Sequence, residues 1–241
     1  MGRIYTSNKY ALPRKVPWVM KQTWNDILLL HYPVKKERLE IYLPPNLSLD
    51  TFQGTGWMTI VPYLMKSAGI RGLPSIPMGK GMPGINVRTY VKAGEKPGIY
   101  FLNLGIHQRF AAKLAKELFH LPYFSADLSF SKKGKMIEVE SRKFPFSLSC
   151  QIRVQTSSFV MEKGSLGEWL LERYCFYTAN PKGKLLRCDI FHDPWLLQDA
   201  EIIGLENHIL RTFNIKPESS LPILHYSRQL HVHLWPPVSV K

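Results

Sequence analysis

Asn86, Arg88 and Tyr90 stand at alternate positions of the segment INVRTYV, residues 85–91. A strand turns successive side chains to opposite faces. An amide, a guanidinium and a phenol therefore share one face, and Ile85, Val87, Thr89 and Val91 share the other. The polar trio has the chemistry of an anion site. A guanidinium presents a fixed fork of donors to a carboxylate or other oxyanion, and the amide and phenol can orient the bound group by hydrogen bonds. Two blander readings stand beside this one. A half-buried antiparallel strand normally turns its polar face to solvent. Alternatively, Arg88 bridges to a buried carboxylate such as Glu172 or Asp127, since buried arginines are usually paired with or without a ligand.

Other residues that could do chemistry fare less well. GKGMPG, residues 79–84, matches G-x-G-x-x-G in letters. The dinucleotide fingerprint needs a strand before it and a helix after it, because the helix N-terminus receives the pyrophosphate. Here a Pro-rich stretch precedes and a strand follows, so the glycines read as turn chemistry. His231 and His233 would share a strand face, but a third metal ligand such as His225 or His192 would have to come from elsewhere, and no metal is expected. Cys150, Cys175 and Cys188 sit among apolar residues and read as buried structural thiols. Glu138 and Glu140 share a face of a hairpin strand beside Lys132, Lys133 and Lys135, where exposed cross-strand charge pairing is the simpler role. The cluster HDPW, residues 192–195, combines an imidazole, a carboxylate and an indole at a strand end; it fits a pocket mouth and a core plug equally well. No G-x-S-x-G elbow or HExxH helix occurs.

The elements that must position these groups are mostly strands. Residues 24–34 read as a strand ending at Pro33. KKERLEIYL has helical spacing at Leu39 and Leu43 and stops at Pro44-Pro45. Residues 56–65 form a second strand, and Gly and Pro mark residues 70–84 as a loop. INVRTYV and GIYFLNL form a hairpin across KAGEKP. Residues 107–119 have the periodicity of an amphipathic helix. A second hairpin spans residues 126–143, followed by a strand over FSLSCQIRVQT. SLGEWLLERY is a short helix with Ser165 as N-cap and Glu168 at capping-box spacing. CFYTA, LLRCDIFH and QLHVHLW complete the strands. Hairpins outnumber crossovers, which excludes a doubly wound parallel sheet and favours an antiparallel barrel or sandwich with a few inserted helices. No linker composition divides the chain. Residues 1–20 read as an irregular lead-in and residues 21–241 as one domain.

The chain has 241 residues and a formal charge of +14. Its basic residues are scattered, and no zinc-finger, helix-turn-helix or aromatic RNA-binding pattern supports a specific nucleic-acid partner. Three widely spaced cysteines without a CxxC fit reduced thiols in a cytoplasmic protein. The apolar run at residues 27–30 is too short for a membrane span or a signal peptide.

Seven of these segments occur in one order: W-x-x-I-L-L-x-H-Y-P-V at residues 24–34, LPPNLSLDTFQGTGWMTIVPYLM at 43–65, N-V-R-T-Y-V at 86–91, G-I-Y-F-L-N-L at 98–104, L-P-Y-x-x-A at 121–126, an E-R-Y with Glu172, Arg173 and Tyr174, and H-x-P-W at 192–195. Together they resemble the YqjF-like family of conserved bacterial proteins, similar in turn to the acetoacetate-decarboxylase-like superfamily. The resemblance implies an antiparallel cone-shaped β-barrel with an internal cavity, no cofactor, and a small, anionic ligand. A homo-oligomer is compatible with it. The superfamily's founding enzyme forms a Schiff base through one of two adjacent lysines. Tyr123 and Phe124 stand at the matching positions here, which implies that this chain lacks that mechanism. Relatives also carry an acidic residue where this sequence has Gly84, and often another at Gly105. On this resemblance Asn86, Arg88 and Tyr90 line the cavity, with Tyr123 and His192 as further ligand-binding candidates. A lysine-independent lyase or hydrolase acting through Arg88 and Tyr90 is one alternative, and a basic interaction protein drawn to a polyanionic surface is the other.

Overall fold

Every residue from 27 to 32 is buried. A strand with both faces covered lies between two apolar layers, and the rest of the molecule is arranged around that requirement. The computed structural model describes residues 16–106, 120–142 and 146–240. The strands are β1 (Met20–Val34), β2 (Ser48–Leu49), β3 (Gly56–Ile70), β4 (Ile76–Ala93), β5 (Lys96–Ile106), β6 (Tyr123–Ser125), β7 (Leu128–Lys133), β8 (Met136–Ser141), β9 (Leu148–Phe159), β10 (Cys175–Ala179), β11 (Leu185–His192), β12 (Leu197–Asn207), β13 (Ile223–Leu234) and β14 (Val238–Ser239). The described helices are short: α1 (Lys36–Glu40), α2 (Leu166–Leu171) and α3 (Ile209–Thr212). The helix expected over residues 107–119 lies outside the described residues.

β11 pairs with β10 on one side and with β13 on the other, so β11-β10-β5-β4-β3-β1-β13 is a circuit of pairings that returns to its start. From β13 the sheet continues through β12, β9 and β8 to β7. Most pairings are antiparallel, as expected, but β10 and β6 each run parallel to β5. One apolar cluster takes residues from every strand of the circuit, among them Ile27, Leu29, Tyr63, Tyr90, Phe101, Phe176, Cys188 and Leu230, and so fills its inside. A second cluster joins the other face of β1 (Leu28, Leu30, Tyr32) to Val139, Cys150 and Ile152 of the continuing sheet. β1 is thus the wall shared by two cores. The three cysteines are buried and unpaired.

Three expectations need correction. The stretch from residue 70 to 84 is not a loop: only residues 71–75 turn, and β4 already pairs with β3 at Ala68↔Ile76 and Ser67↔Pro77. Pairing with β5 begins at Gly84, so the preceding part of β4 has one side without a strand partner among the described residues, where proline is tolerated. Gly79 and Gly81, both at positive φ, mark an irregularity within a strand. β12 was not expected. Its sequence LQDAEIIGLEN is poor in strand formers, and it is held by its ladder to β9. The charge pairing expected across the hairpin of Lys132, Glu138 and Glu140 does not form: Lys132 Nζ donates to Asp26 Oδ1 of β1 instead, tying the outer hairpin to the circuit. Glu138 and Glu140 bond Gln151 and Arg142 rather than the neighbouring lysines.

Candidate functional site

β4 runs between β3 and β5 with Thr59 opposite Arg88 and Val61 opposite Asn86 on one side. On the other side Leu104 faces Asn86 and Phe101 faces Arg88. A one-residue slip in β5, between those two pairs, leaves Leu102 out of register. The bulge keeps Ile99, Phe101 and Leu104 on the inner face despite their mixed parity. The polar face of β4 therefore looks into the circuit. Asn86 is 2% exposed, Arg88 7% and Tyr90 0%.

Inside the circuit lies a cavity of about 80 Å³. Asn86, Arg88, Tyr123, Arg173 and His192 supply most of its polar lining, and Phe101, Phe176 and Leu230 are among its apolar walls. Tyr90 does not line it. Its hydroxyl is 2.6 Å from Thr59 Oγ1 and 3.3 Å from His31 Nδ1. Its ring instead supports two guanidiniums, with Arg173 Cζ 5.1 Å and Arg88 Cζ 5.9 Å from the ring centroid.

The two arginines are held differently. Ser165 caps α2 by accepting from Glu168 N at 3.1 Å, and Glu168 Oε2 accepts from Gly164 N. The helix then delivers Arg173, whose Nε donates to Trp169 O at 2.7 Å and whose Nη1 donates to Asp50 Oδ2 at 2.6 Å. Arg88 has no such support. Its Nε and Nη2 are buried without a hydrogen-bond partner among the described residues, as are Arg173 Nη2 and Asn86 Oδ1. Glu172, one of the expected bridge partners, accepts instead from the Tyr174 hydroxyl and from Trp195 N.

His192 places Nδ1 2.8 Å from Asp193 O and Nε2 3.3 Å from Arg173 O, and stacks on Tyr174. Burial lowers its pKa, and Arg88 pushes the same way, while the Asp193 and Arg173 carbonyls and Glu172 oppose them. Burial pushes the Tyr123 phenol up to about 12. A chain of buried polar groups runs from β13 through β1 and β3 to Tyr90 of β4: His225 Nδ1 lies 3.1 Å from His31 Nε2, and His31 Nδ1 lies 2.8 Å from Thr59 Oγ1. Burial holds His31 well below its usual pKa, with His225 and Arg88 adding to the effect.

Sequence reasoning missed Arg173, Asp50, Thr59 and this histidine pair as parts of the site. Arg173 and His31 both sit inside the segments that carried the resemblance, so the signal was present without a role attached. Gly105 departs from the expected pattern: a side chain there would meet Ile85, Ala126 and Phe146 in the outer core, not the cavity. His231 contacts Thr23, and His233 packs against Trp18. Among the described residues no three His, Cys, Asp or Glu side chains gather as a metal site. Burial pushes Cys150 and Cys188 up to about 12 and Cys175 to about 11, too high for a thiolate nucleophile at neutral pH. No described helix is long and apolar enough to cross a membrane.

This arrangement can be set against known proteins. Across similar solved structures the fold is that of acetoacetate-decarboxylase-like proteins. Acetoacetate decarboxylase from Legionella pneumophila superposes with a TM-score of 0.63 at 12% identity, over 99% of this chain and 94% of that one. The enduracididine biosynthesis enzyme MppR complexed with pyruvate gives 0.64 at 9% identity, over 98% and 95%. Closer in sequence, the chain is 40% identical over 222 residues, 91% of each chain, to the uncharacterised protein YqjF of Bacillus subtilis (strain 168). The family model DUF2071, an uncharacterised conserved protein, matches residues 21–231, and the chain belongs to that family.

Proposed function

We propose that the protein binds a small organic anion inside a cone-shaped β-barrel formed by the seven-strand circuit, with Arg88 as the anion's principal partner. One observation carries the reading: two buried Arg88 nitrogens beside an internal cavity have no partner among the described residues. Arginine cannot shed its proton, and a desolvated charge costs several kcal/mol unless it is paired. A carboxylate in the cavity would supply both the countercharge and the acceptors. Asn86, Tyr123 and His192 would orient it, and Tyr90 would act from below by holding both guanidiniums. The pyruvate bound to MppR, which shares the fold, supports a small carboxylate.

On this reading no Schiff base forms, because Tyr123 and Phe124 replace the enzyme's lysine pair, and any reaction would be a lysine-independent lyase or hydrolase step. Residues 21–241 act as one cytoplasmic domain, in keeping with three unpaired buried thiols. The test is thermal stabilisation by short carboxylic acids. Ligand linkage raises the melting temperature of the wild type, and Arg88→Ala abolishes that rise. If no small acid shifts the wild type, the reading fails.

A second reading, association with a polyanionic surface, rests on a different face. Lys35, Arg38, Arg211 and Lys216 line a cleft of about 970 Å³ in which, among the described residues, Glu218 is the only acidic one. It predicts polyanion binding that weakens steeply with salt, and a salt-insensitive null excludes it.

A further inference from the structure

The unpartnered atoms in the cavity are not all donors. Arg88 Nε and Nη2 and Arg173 Nη2 can only donate, whereas Asn86 Oδ1 can only accept, and all of them are buried. A simple carboxylate answers the three guanidinium nitrogens and leaves Asn86 Oδ1 buried without a donor among the described residues. A group that carries both an acidic oxyanion and a hydrogen-bond donor answers the whole set. The donor is not an ammonium. Two guanidiniums and, among the described residues, no carboxylate line this space; Asp50 pairs with Arg173, and Glu172 accepts from Tyr174 and Trp195 N. A further cation would meet repulsion without a partner of its own. A neutral hydroxyl donates without that penalty.

Size narrows the class further. Holding one water takes roughly 10–15 Å³ of such space. The cavity, at about 80 Å³, therefore accommodates a ligand of about five to eight non-hydrogen atoms. That is a short hydroxy acid, far below the several hundred cubic ångströms typical of larger organic ligands. Apolar side chains of the lining, among them Phe101, Phe176, Leu230 and Val232, suit a short alkyl end.

We infer that the cavity selects a short-chain hydroxy acid, its carboxylate on Arg88 and its hydroxyl donating to Asn86 Oδ1. The inference rests on the anion-binding reading above and adds the identity of the second polar group.

The experiment is a calorimetric or thermal-shift titration of the wild-type protein with lactate, glycolate, propionate, pyruvate and alanine. Lactate and propionate differ by the hydroxyl alone. Lactate is expected to bind at least about tenfold more tightly than propionate, because an acceptor left unpaired on burial is costly. Pyruvate, which lacks the donor, and alanine, which carries the ammonium, are expected to fall with propionate or below it. Asn86→Leu should bring lactate and propionate to equal affinity while both still bind. Should propionate or pyruvate match lactate on the wild type, the hydroxy-acid inference is overturned and anion binding stands. Should none of the five bind, anion binding is overturned and this inference with it.

Discussion

The ring of Tyr63 lies in the space that a side chain at Gly84 would need. A Cβ on Gly84 would stand 2.6 Å from Tyr63 Cζ and 2.8 Å from its hydroxyl oxygen. The two residues face one another across β3 and β4, and Tyr63 is held in place by stacking on Trp24, with centroids 4.3 Å apart. The acidic group that the resemblance leads one to expect at this position is thus replaced by a phenol that reaches across from the neighbouring strand. Burial holds that phenol well above its usual pKa, so the cavity wall is neutral here.

Restoring the acid should fail alone and succeed in combination. Gly84→Glu is expected to destabilise the fold by about 2–3 kcal/mol through overpacking against Tyr63. Pairing it with Tyr63→Ala should recover at least about 1 kcal/mol relative to the sum of the single changes. Chemical denaturation of the four proteins measures the coupling. Strictly additive losses would show that the two side chains do not compete for one space.

The buried histidine pair makes stability depend on acid. His31 is held well below its usual pKa and His225 falls to about 4, both chiefly by burial. Both are neutral in the folded state near pH 6, whereas in the unfolded chain they take up protons below about 6.5. The unfolded state then binds more protons, so stability falls as the pH drops from about 6.5 toward 4. For His225 the displacement from 6.5 to about 4 corresponds, at about 1.4 kcal/mol per unit, to about 3 kcal/mol. Melting temperature against pH should decline over that window, and His225→Gln should flatten the decline. An unchanged slope in the variant would assign the acid sensitivity to other groups.

Asp26 should matter more than its place in an apolar strand suggests. It adopts φ +48° within β1 and accepts from the Tyr226 hydroxyl at 2.6 Å as well as from Lys132. Asp and Asn tolerate that left-handed conformation better than Ala. Asp26→Ala loses both the conformational preference and a buried acceptor and should cost about 2–4 kcal/mol. Asp26→Asn keeps the conformation and one acceptor and should cost about half as much. Equal losses from urea denaturation of the two variants would remove the backbone contribution.

How far the sequence could be read depended on where each residue's partner lies. The β4–β5 hairpin was legible because its signal is local: alternation on both sides of KAGEKP. Residues 70–84 were misread because Gly and Pro mark a loop and a strand irregularity with the same letters, and only the pairing with β3 separates the two. His31 lies in an apolar run, and the partner that gives it meaning, His225, is 194 residues away. Arg173 takes its countercharge from Asp50, 123 residues away. Arg88 was legible for the converse reason. Its place on a polar strand face is a local property, and what distinguishes it is two buried nitrogens without a partner among the described residues rather than a distant partner.

Residues 121–126 also bear on mechanism. Tyr123 lines the cavity and Phe124 is 47% exposed, and neither side chain can form an imine. Incubation with acetoacetate or pyruvate followed by borohydride reduction is expected to leave the mass of the protein unchanged. A stoichiometric adduct, located by peptide mapping, would reveal a Schiff-base lysine and overturn the lysine-independent reading.

Arg88 offers the sharpest separation between fold and function. A guanidinium kept for structure is paired, and truncating it leaves its partner orphaned, at a cost of about 3–5 kcal/mol. Arg88 leaves two buried nitrogens unpartnered among the described residues, so removing it orphans no carboxylate there and relieves a desolvated charge. Arg88→Met, which keeps the length and apolar packing of the stem, is therefore expected to raise stability by about 1–3 kcal/mol in the absence of ligand. The same change should abolish stabilisation by small acids. This opposition of sign is what a site held open for an anion predicts, because strain carried by the empty protein is released only when the ligand arrives. Loss of several kcal/mol in Arg88→Met would instead mark Arg88 as a structural bridge, and acid-induced stabilisation surviving in that variant would move the anion site elsewhere in the cavity.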